Sequence, residues 1–341
     1  MLFDAKPEQI LRAEFVLILA FAGALGPHAA LGLEQGGPPA SDSPLRRGVN
    51  VLGYDGIFKG ETDAPFHMSD FRLIRDAGFD HVRVNFFGFH YLSRPDGGAT
   101  ALANLDRVIA AAATAGLSVV LDEHDNARCQ SEPLWCKAAL ASFWRRIAAR
   151  YAGREPKLVY DLLNEPGGAM SAAQWNDTLA AALHEIRAVD PARKVVVAAL
   201  NDGAVSSVAG LELPRDDRSL IVSFHYYAPW DFAFQGAPWS SKWSRLHDIA
   251  WGSAAERAKL AEDFAFVDEW ARAQARPVYL GEFGVYEKAP AASRALWTRE
   301  VARSAEKFGW SWAYWQFDHD FALFDEATRR WNAPLLEALS R

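Results

Sequence analysis

The chain has 341 residues, 50% of them hydrophobic and 23% charged, which excludes wholesale disorder and leaves ample length for a large core. Lys and Arg number 36 against 43 Asp and Glu, giving a net charge of −7 with no basic stripe. That balance disfavours nucleic acid and anionic membrane as partners. The 24 Gly and 17 Pro exclude collagen-like or low-complexity organisation, while 13 Trp is a high count for the length.

In chain order, the first feature is an apolar run over Phe15–Leu25, followed by the small residues Ala29, Ala30 and Gly32. It is too short to span a bilayer comfortably and long enough for the core of a signal peptide. Residues 1–32 are therefore expected to be a leader, although Asp4, Glu8 and Glu14 are unusual for one. A linker rich in Gly, Pro and Ser is expected over 33–44. The chain is expected to be secreted or periplasmic. Cys129 and Cys136, seven positions apart, could close a small disulfide in an oxidising compartment or stay as two thiols. No zinc-type spacing of Cys and His accompanies them.

From residue 45 onward, short apolar runs alternate with longer amphipathic ones. Strands are expected at Arg47–Leu52, His81–Phe86, Ser118–Asp122, Leu158–Asn164, Lys194–Leu200, Ser219–Phe224, Pro277–Gly281 and Ser311–Gln316. Each is apolar enough to be covered on both faces. Helices are expected at Ser69–Ala77 (with Ser69 as N-cap), Leu102–Ala115, Leu134–Ala152, Ser171–Val189, Ala204–Leu211, Ser253–Gln274, Ser293–Phe308 and Ala333–Leu339. Eight strands alternating with about eight helices predict a single (β/α)8 TIM barrel over 45–341. The first strand runs into Leu52-Gly53-Tyr54-Asp55-Gly56, which is not a dinucleotide or phosphate loop, and no metal motif appears. No cofactor is expected.

Barrel enzymes carry their chemistry at the C-terminal ends of the strands. In this chain those ends hold Arg83 and Asn85, then Asp122-Glu123-His124-Asp125, Asn164-Glu165-Pro166, His225-Tyr226-Tyr227, Gly281-Glu282-Phe283-Gly284, and Trp312 with Trp315. Polar groups gathered at one end of apolar strands carry a desolvation cost that a fold alone does not require. Glu165 and Glu282 follow the fourth and seventh strands, across the barrel mouth from each other. Paired carboxylic acids are what glycosidic cleavage needs: one protonates the leaving oxygen, and one attacks the anomeric carbon or activates water.

On these residues the chain resembles glycoside hydrolase family 5, the cellulase family. Asn164-Glu165-Pro166 matches the family's Asn-Glu-Pro, and Glu282 in Leu280-Gly281-Glu282-Phe283-Gly284 matches its nucleophile strand. Arg83, His124, His225, Tyr227 and Trp315 match further recurrent active-site positions. The resemblance covers roughly residues 45–341. It implies Glu282 as nucleophile, beside Arg83 and the Tyr227 hydroxyl. It implies Glu165 as acid/base, its pKa raised by the nearby Glu282 charge. Asn164 would bind the sugar hydroxyl at carbon 2, Trp315 would form an apolar floor, and His124 and His225 would bind hydroxyls or orient Glu165. A separation of roughly 5–5.5 Å between the carboxyl groups, and so retention of configuration, is expected. Two departures, Asp125 and the segment Phe232-Ala233-Phe234-Gln235-Gly236, bear on substrate more than on reaction.

The expected substrate is a β-glucan polysaccharide or oligosaccharide cut internally at β-1,4 bonds by a monomer with no protein partner. Mannan, xyloglucan and β-1,3-glucan are alternatives. Two other classes compete: a metal-dependent hydrolase using Asp122, His124, Asp125 and His225, and a non-catalytic sugar-binding barrel. Arg83 could pair structurally with Asp122 instead of serving the site. Trp230, Trp239, Trp243 and Trp251 could line sugar subsites or close a local core.

Overall fold

The eight apolar runs form eight parallel strands that close on themselves in sequence order. They are β1 (Arg47–Val51), β2 (His81–Phe86), β3 (Ser118–Glu123), β4 (Leu158–Asp161), β5 (Val195–Ala198), β6 (Leu220–Tyr226), β7 (Val278–Phe283) and β8 (Ser311–Tyr314). The computed structural model describes residues 45–53, 56–61 and 64–340. The expected leader and linker lie outside the described residues. Among the described residues, no helix is long and apolar enough to cross a membrane. The architecture is a single (β/α)8 barrel, as the alternation predicted.

Alternation along each strand sorts the side chains into two layers of core. One set points into the barrel, where Val120, Val159, Val196, Ile221, Tyr279 and Ala313 form a closed apolar cluster with Leu45. The register places Arg83 beside Val120, and Asn85 beside Asp122, which in turn lies beside Asp161. Polar residues thus stack directly above the apolar plug, toward the strands' C-terminal ends. The other set faces the surrounding helices, among them Ala99–Thr114, Pro133–Tyr151, Ala172–Val189, Ala254–Gln274 and Ala291–Lys307.

Much of the Trp excess is explained by this outer layer. Trp144, Trp175 and Trp297 are buried on helices, and each indole N–H donates to a backbone carbonyl at a strand's C-terminal end. The acceptors are Leu162, Ala198 and Ala228, each at 2.9 Å. Large rings fill the helix–sheet gap, and their polar edges satisfy carbonyls where the strand ladder stops.

Local signals hold well at helix starts. Ser171 and Ser253 close reciprocal capping boxes with Gln174 and Glu256. Ser69 does not cap: its side chain makes no cap bond and its backbone is already helical. The buried carboxylate of Asp70 accepts from His67 N–H instead and is also held by Arg329. Ala204–Leu211 is a 3-10 turn over Val205–Gly210 rather than an α-helix. Cys129 and Cys136 are joined in a disulfide that ties the short helix Ala127–Ser131 to Pro133–Tyr151.

Two strand limits set where the paired acids stand. β4 ends at Asp161, so Asn164 and Glu165 lie in the turn beyond it, not in the strand. β7 runs through Phe283, so Glu282 is an inner strand residue. The close packing around β7 is visible at Gly284, where a Cβ would fall 2.1 Å from the Trp315 carbonyl oxygen. A side chain at Gly284 would push the β7 and β8 loops apart.

Candidate active site

Arg83 is the centre of the polar layer and is 1% exposed. Its Nε donates to Asp161 (2.9 Å), Nη1 to Glu282 (2.7 Å) and to Asn50 (3.0 Å), and Nη2 to Asn164 (3.0 Å). Nη2 also lies 3.1 Å from Asp122. The two roles weighed for Arg83 are therefore not alternatives: it pairs with Asp122 and also holds Glu282 and Asn164. Burial opposes its charge, yet Asp122, Asp161 and Glu282 raise the guanidinium's pKa well above normal. A planar fork with five donors suits this many fixed acceptors.

The three carboxylates around Arg83 share one cation unequally. Asp122 is held below the usual carboxylate range because Arg83 and His124 outweigh its burial. Asp161 is pushed up to about 7, chiefly by burial, with the Asp122 charge adding to the shift and Arg83 opposing it. Glu282 is gripped on both oxygens, by Arg83 on Oε1 and by the Tyr227 hydroxyl on Oε2 at 2.8 Å. A register shift between Phe224 and His225 sets His225 beside Glu282 across the β6–β7 pair.

Glu165 sits in the turn after β4 with φ +42, a left-handed conformation that its neighbours must hold. They do so through its carbonyl, which accepts from Gln130 Nε2 (2.9 Å) and Asn126 Nδ2 (3.2 Å). The preceding Asn164 N–H pairs with the Glu123 carbonyl at 2.8 Å, continuing the β3–β4 ladder into the turn. Glu165 Oε1 lies 2.9 Å from His225 Nδ1, and the same nitrogen lies 3.6 Å from Glu282. One ligating atom from each of Glu165, His225 and Glu282 falls within 4.8 Å of the others. The two carboxyl groups thus face one centre, as the sequence predicted.

Their surroundings give them different protonation behaviour. Glu165 is pushed up to about 7; burial is the main cause, and the largest charge contribution is that of Asp202, with His124 and Arg83 opposing. The direction is the one expected from the sequence, but burial and Asp202 lead where Glu282 was expected to. His225 is driven down to about 4 by burial, against the pull of Glu282. It is a neutral ring at pH 7, so it orients Glu165 without supplying a positive charge.

The remaining expected residues also converge. His124 Nδ1 binds Asp122 at 2.5 Å, and its ring lies parallel to Trp315 with centroids 5.6 Å apart. Trp315 is 7% exposed and packs with Tyr227, Phe234, Tyr286 and Phe321. Beside the dyad, a cleft of about 420 Å³ is lined by His225 and Tyr227 and by Ser206, Trp230, Lys259 and Phe266. The Trp question divides residue by residue. Trp230 and Trp239 are about half exposed at the mouth, Trp243 packs beneath them, and Trp251 is buried in the main core.

Several expectations are corrected. Asp122, His124, Asp125 and His225 do not assemble as a metal set: Asp122 and His124 bind each other, and Asp125 accepts from His90 N–H. Among the described residues, the group spaced closely enough to share an ion is the Glu165, His225 and Glu282 trio itself. Gln235 is fully buried and pins the long β6–β7 connection through Phe232 and Ile249, so it does not line a sugar subsite. Asn50, Asp161, Asn126, Gln130 and Asp202 were not foreseen. Asn50 and Asp161 had a signal, each being a polar residue inside an apolar strand run.

A family model described as Cellulase (glycosyl hydrolase family 5) matches residues 49–320. Endoglucanase H of Acetivibrio thermocellus is 25% identical over 283 residues, covering 80% of this chain, which spans only 30% of that protein's length. Endoglucanase C of the same organism is 23% identical, covering 87% of this chain and 98% of its own. Among solved structures, Thermotoga maritima Cel5A in complex with cellobiose is 34% identical, with a TM-score of 0.80 over 86% of this chain and 97% of its own. Cellulose synthase subunit Z of Clostridioides difficile is 32% identical, with a TM-score of 0.80 over 87% of this chain and all of its own.

Proposed function

Because this chain belongs to glycosyl hydrolase family 5, we propose that it is a retaining glycosidase that cuts β-linked glucan internally, at β-1,4 bonds, by double displacement. The observation that carries this reading is the pair of carboxyl groups whose oxygens approach within 4.8 Å, one gripped by Arg83 and Tyr227 and the other with a pKa near 7. An inverting pair stands farther apart, to admit a water between the base carboxylate and the sugar.

In the first step a Glu282 oxygen forms a bond to the anomeric carbon as the bond to the leaving oxygen breaks. Glu165 gives that oxygen its proton, which a pKa of about 7 lets it hold near neutrality. In the second step Glu165, now ionised, takes a proton from water as the water attacks the anomeric carbon and releases Glu282. Its pKa must fall between the two steps, and esterification of Glu282 removes a nearby negative charge at that moment. Neutral His225 stays hydrogen-bonded to Glu165 through both steps. Asn164, its Oδ1 held by Arg83, retains an amide donor for the sugar hydroxyl at carbon 2. Trp315 supplies the apolar floor. The cleft bordered by Trp230 and Phe266 takes the leaving part of the chain.

The substrate reading rests on the relatives. Several are named endoglucanases, and Cel5A of Thermotoga maritima is described both with cellobiose and with mannotriose. Mannan therefore stands as the alternative. The Cys129–Cys136 disulfide supports export to an oxidising compartment, secreted or periplasmic. The enzyme is proposed to act as a monomer without a cofactor. A panel of carboxymethyl-cellulose, mannan, xyloglucan and β-1,3-glucan with product sizing tests the reading. A rapid fall in carboxymethyl-cellulose chain length, with oligosaccharide products, is expected. Release of terminal glucose alone, or cleavage of mannan only, overturns the endoglucanase assignment.

A further inference from the structure

The turn that carries Glu165 is held by residues of the loops on either side of it. Asn201 and Asp202, after β5, are both left-handed, with φ of +55 and +59. This places the Asp202 N–H 3.1 Å from the Pro166 carbonyl. Its Oδ1 accepts from Gln130 Nε2 at 3.0 Å, the same nitrogen that donates to the Glu165 carbonyl at 2.9 Å. The fit leaves no room for a side chain at position 167, where a Cβ would lie 2.9 Å from Asp202 Oδ1. Gln130 is in turn fixed between Cys129 and Ser131 on the disulfide-tied helix, and its carbonyl accepts from Ala169 N–H at 2.7 Å. Three loops, following β3, β4 and β5, thus meet at one amide.

We propose that Asp202 is a positioning residue for Glu165: with Gln130 it locks the acid/base turn and sets a carboxylate against it. The proposal rests on the assignment of Glu165 as acid/base. The charged and titratable groups around Glu165 are Arg83 and His124, which favour its ionised form, Asp122 and Asp202, which oppose it, and His225 and Glu282, which touch or approach it. Arg83, Asp122, His124 and Glu282 are bonded to one another in the polar layer, whereas the Asp202 charge can be removed without breaking any of those bonds. It is exposed at residue level, so its effect is screened by salt.

The test is the pH dependence of kcat/KM for Asp202→Asn, which preserves shape and can still accept from Gln130. The alkaline limb should move toward acid by about half a unit or more. KM should stay within about twofold, activity on the acid side should be retained, and the shift should shrink at high salt. An unmoved limb overturns the proposal, whether activity is intact or reduced evenly at all pH values. Should the Asn variant melt below assay temperature, Asp202→Ser is read by the same limb. Glu165→Gln separates the two claims: if that variant keeps wild-type turnover, the acid/base assignment itself fails, independently of Asp202.

Discussion

Glu282→Gln is expected to lower kcat by about 10⁴-fold or more while leaving the Kd for an oligosaccharide within a few-fold. The amide is the same size and still faces Arg83 and Tyr227, so the site should keep its shape. What it loses, under the proposed double displacement, is the oxygen nucleophile that forms the covalent intermediate. Glu165→Gln should cost about 10²- to 10⁴-fold on a polysaccharide, the range for a missing general acid. The two variants should differ in one respect. An aryl glycoside with an acidic leaving group needs no proton to depart, so its first step should be nearly restored in Glu165→Gln and not in Glu282→Gln. Steady-state kinetics with both substrate types, alongside calorimetric binding, read this directly. Near-wild-type turnover in both variants would remove the two-carboxylate mechanism, whereas a wild-type protein that binds the oligosaccharide without any turnover would favour a non-catalytic sugar-binding role.

Arg83→Met carries the largest expected effect on stability, a loss of about 3–5 kcal/mol in denaturant unfolding. The side chain is buried and lies against Asp122, Asp161 and Glu282. Removing it leaves those carboxylates inside the barrel without their cation. The loss should depend on pH with a definite sign. Without Arg83 the folded-state pKa values of Asp122 and Asp161 rise, so they destabilise the fold most at high pH. As pH falls they take up protons and the penalty shrinks. Midpoints measured at pH 8 and pH 5 should therefore draw closer to wild type at the lower pH. A loss under about 1 kcal/mol, or one that is flat with pH, would show that the polar layer is not organised around Arg83.

The barrel is legible in the sequence because its physics is local. Short apolar runs, helix starts at Ser171 and Ser253, and glycines after helices mark the βα units, and the expected strand bounds agree with the structure to within a few residues. The paired carboxylates are legible for a related reason: acids at the C-terminal ends of apolar strands have no structural need to be there. Ser69 misleads because its local signal is overridden by a longer-range one, the carboxylate of Asp70 pairing with Arg329. Asn50 and Asp161 are readable as polar residues in apolar strands, but their partner, Arg83, lies on another strand. Gln130 and Asp202 are beyond reach because they act where three loops meet. Asn201-Asp202-Gly203 has the composition of a left-handed turn, which sequence can supply, but not what that turn is pressed against. The origin of the Glu165 shift is hidden for the same reason, since burial belongs to the folded mouth and not to any one segment.

The configuration of the first sugar released tests the account most directly. Proton NMR during early hydrolysis of a β-linked oligosaccharide should show the β-anomer first, with the α-anomer growing in only by mutarotation. That is the outcome of two displacements at a centre shared by carboxyl groups within 4.8 Å of each other. Initial release of the α-anomer would mean a single displacement by water, and Glu282 could not then be the nucleophile nor Glu165 its acid/base partner.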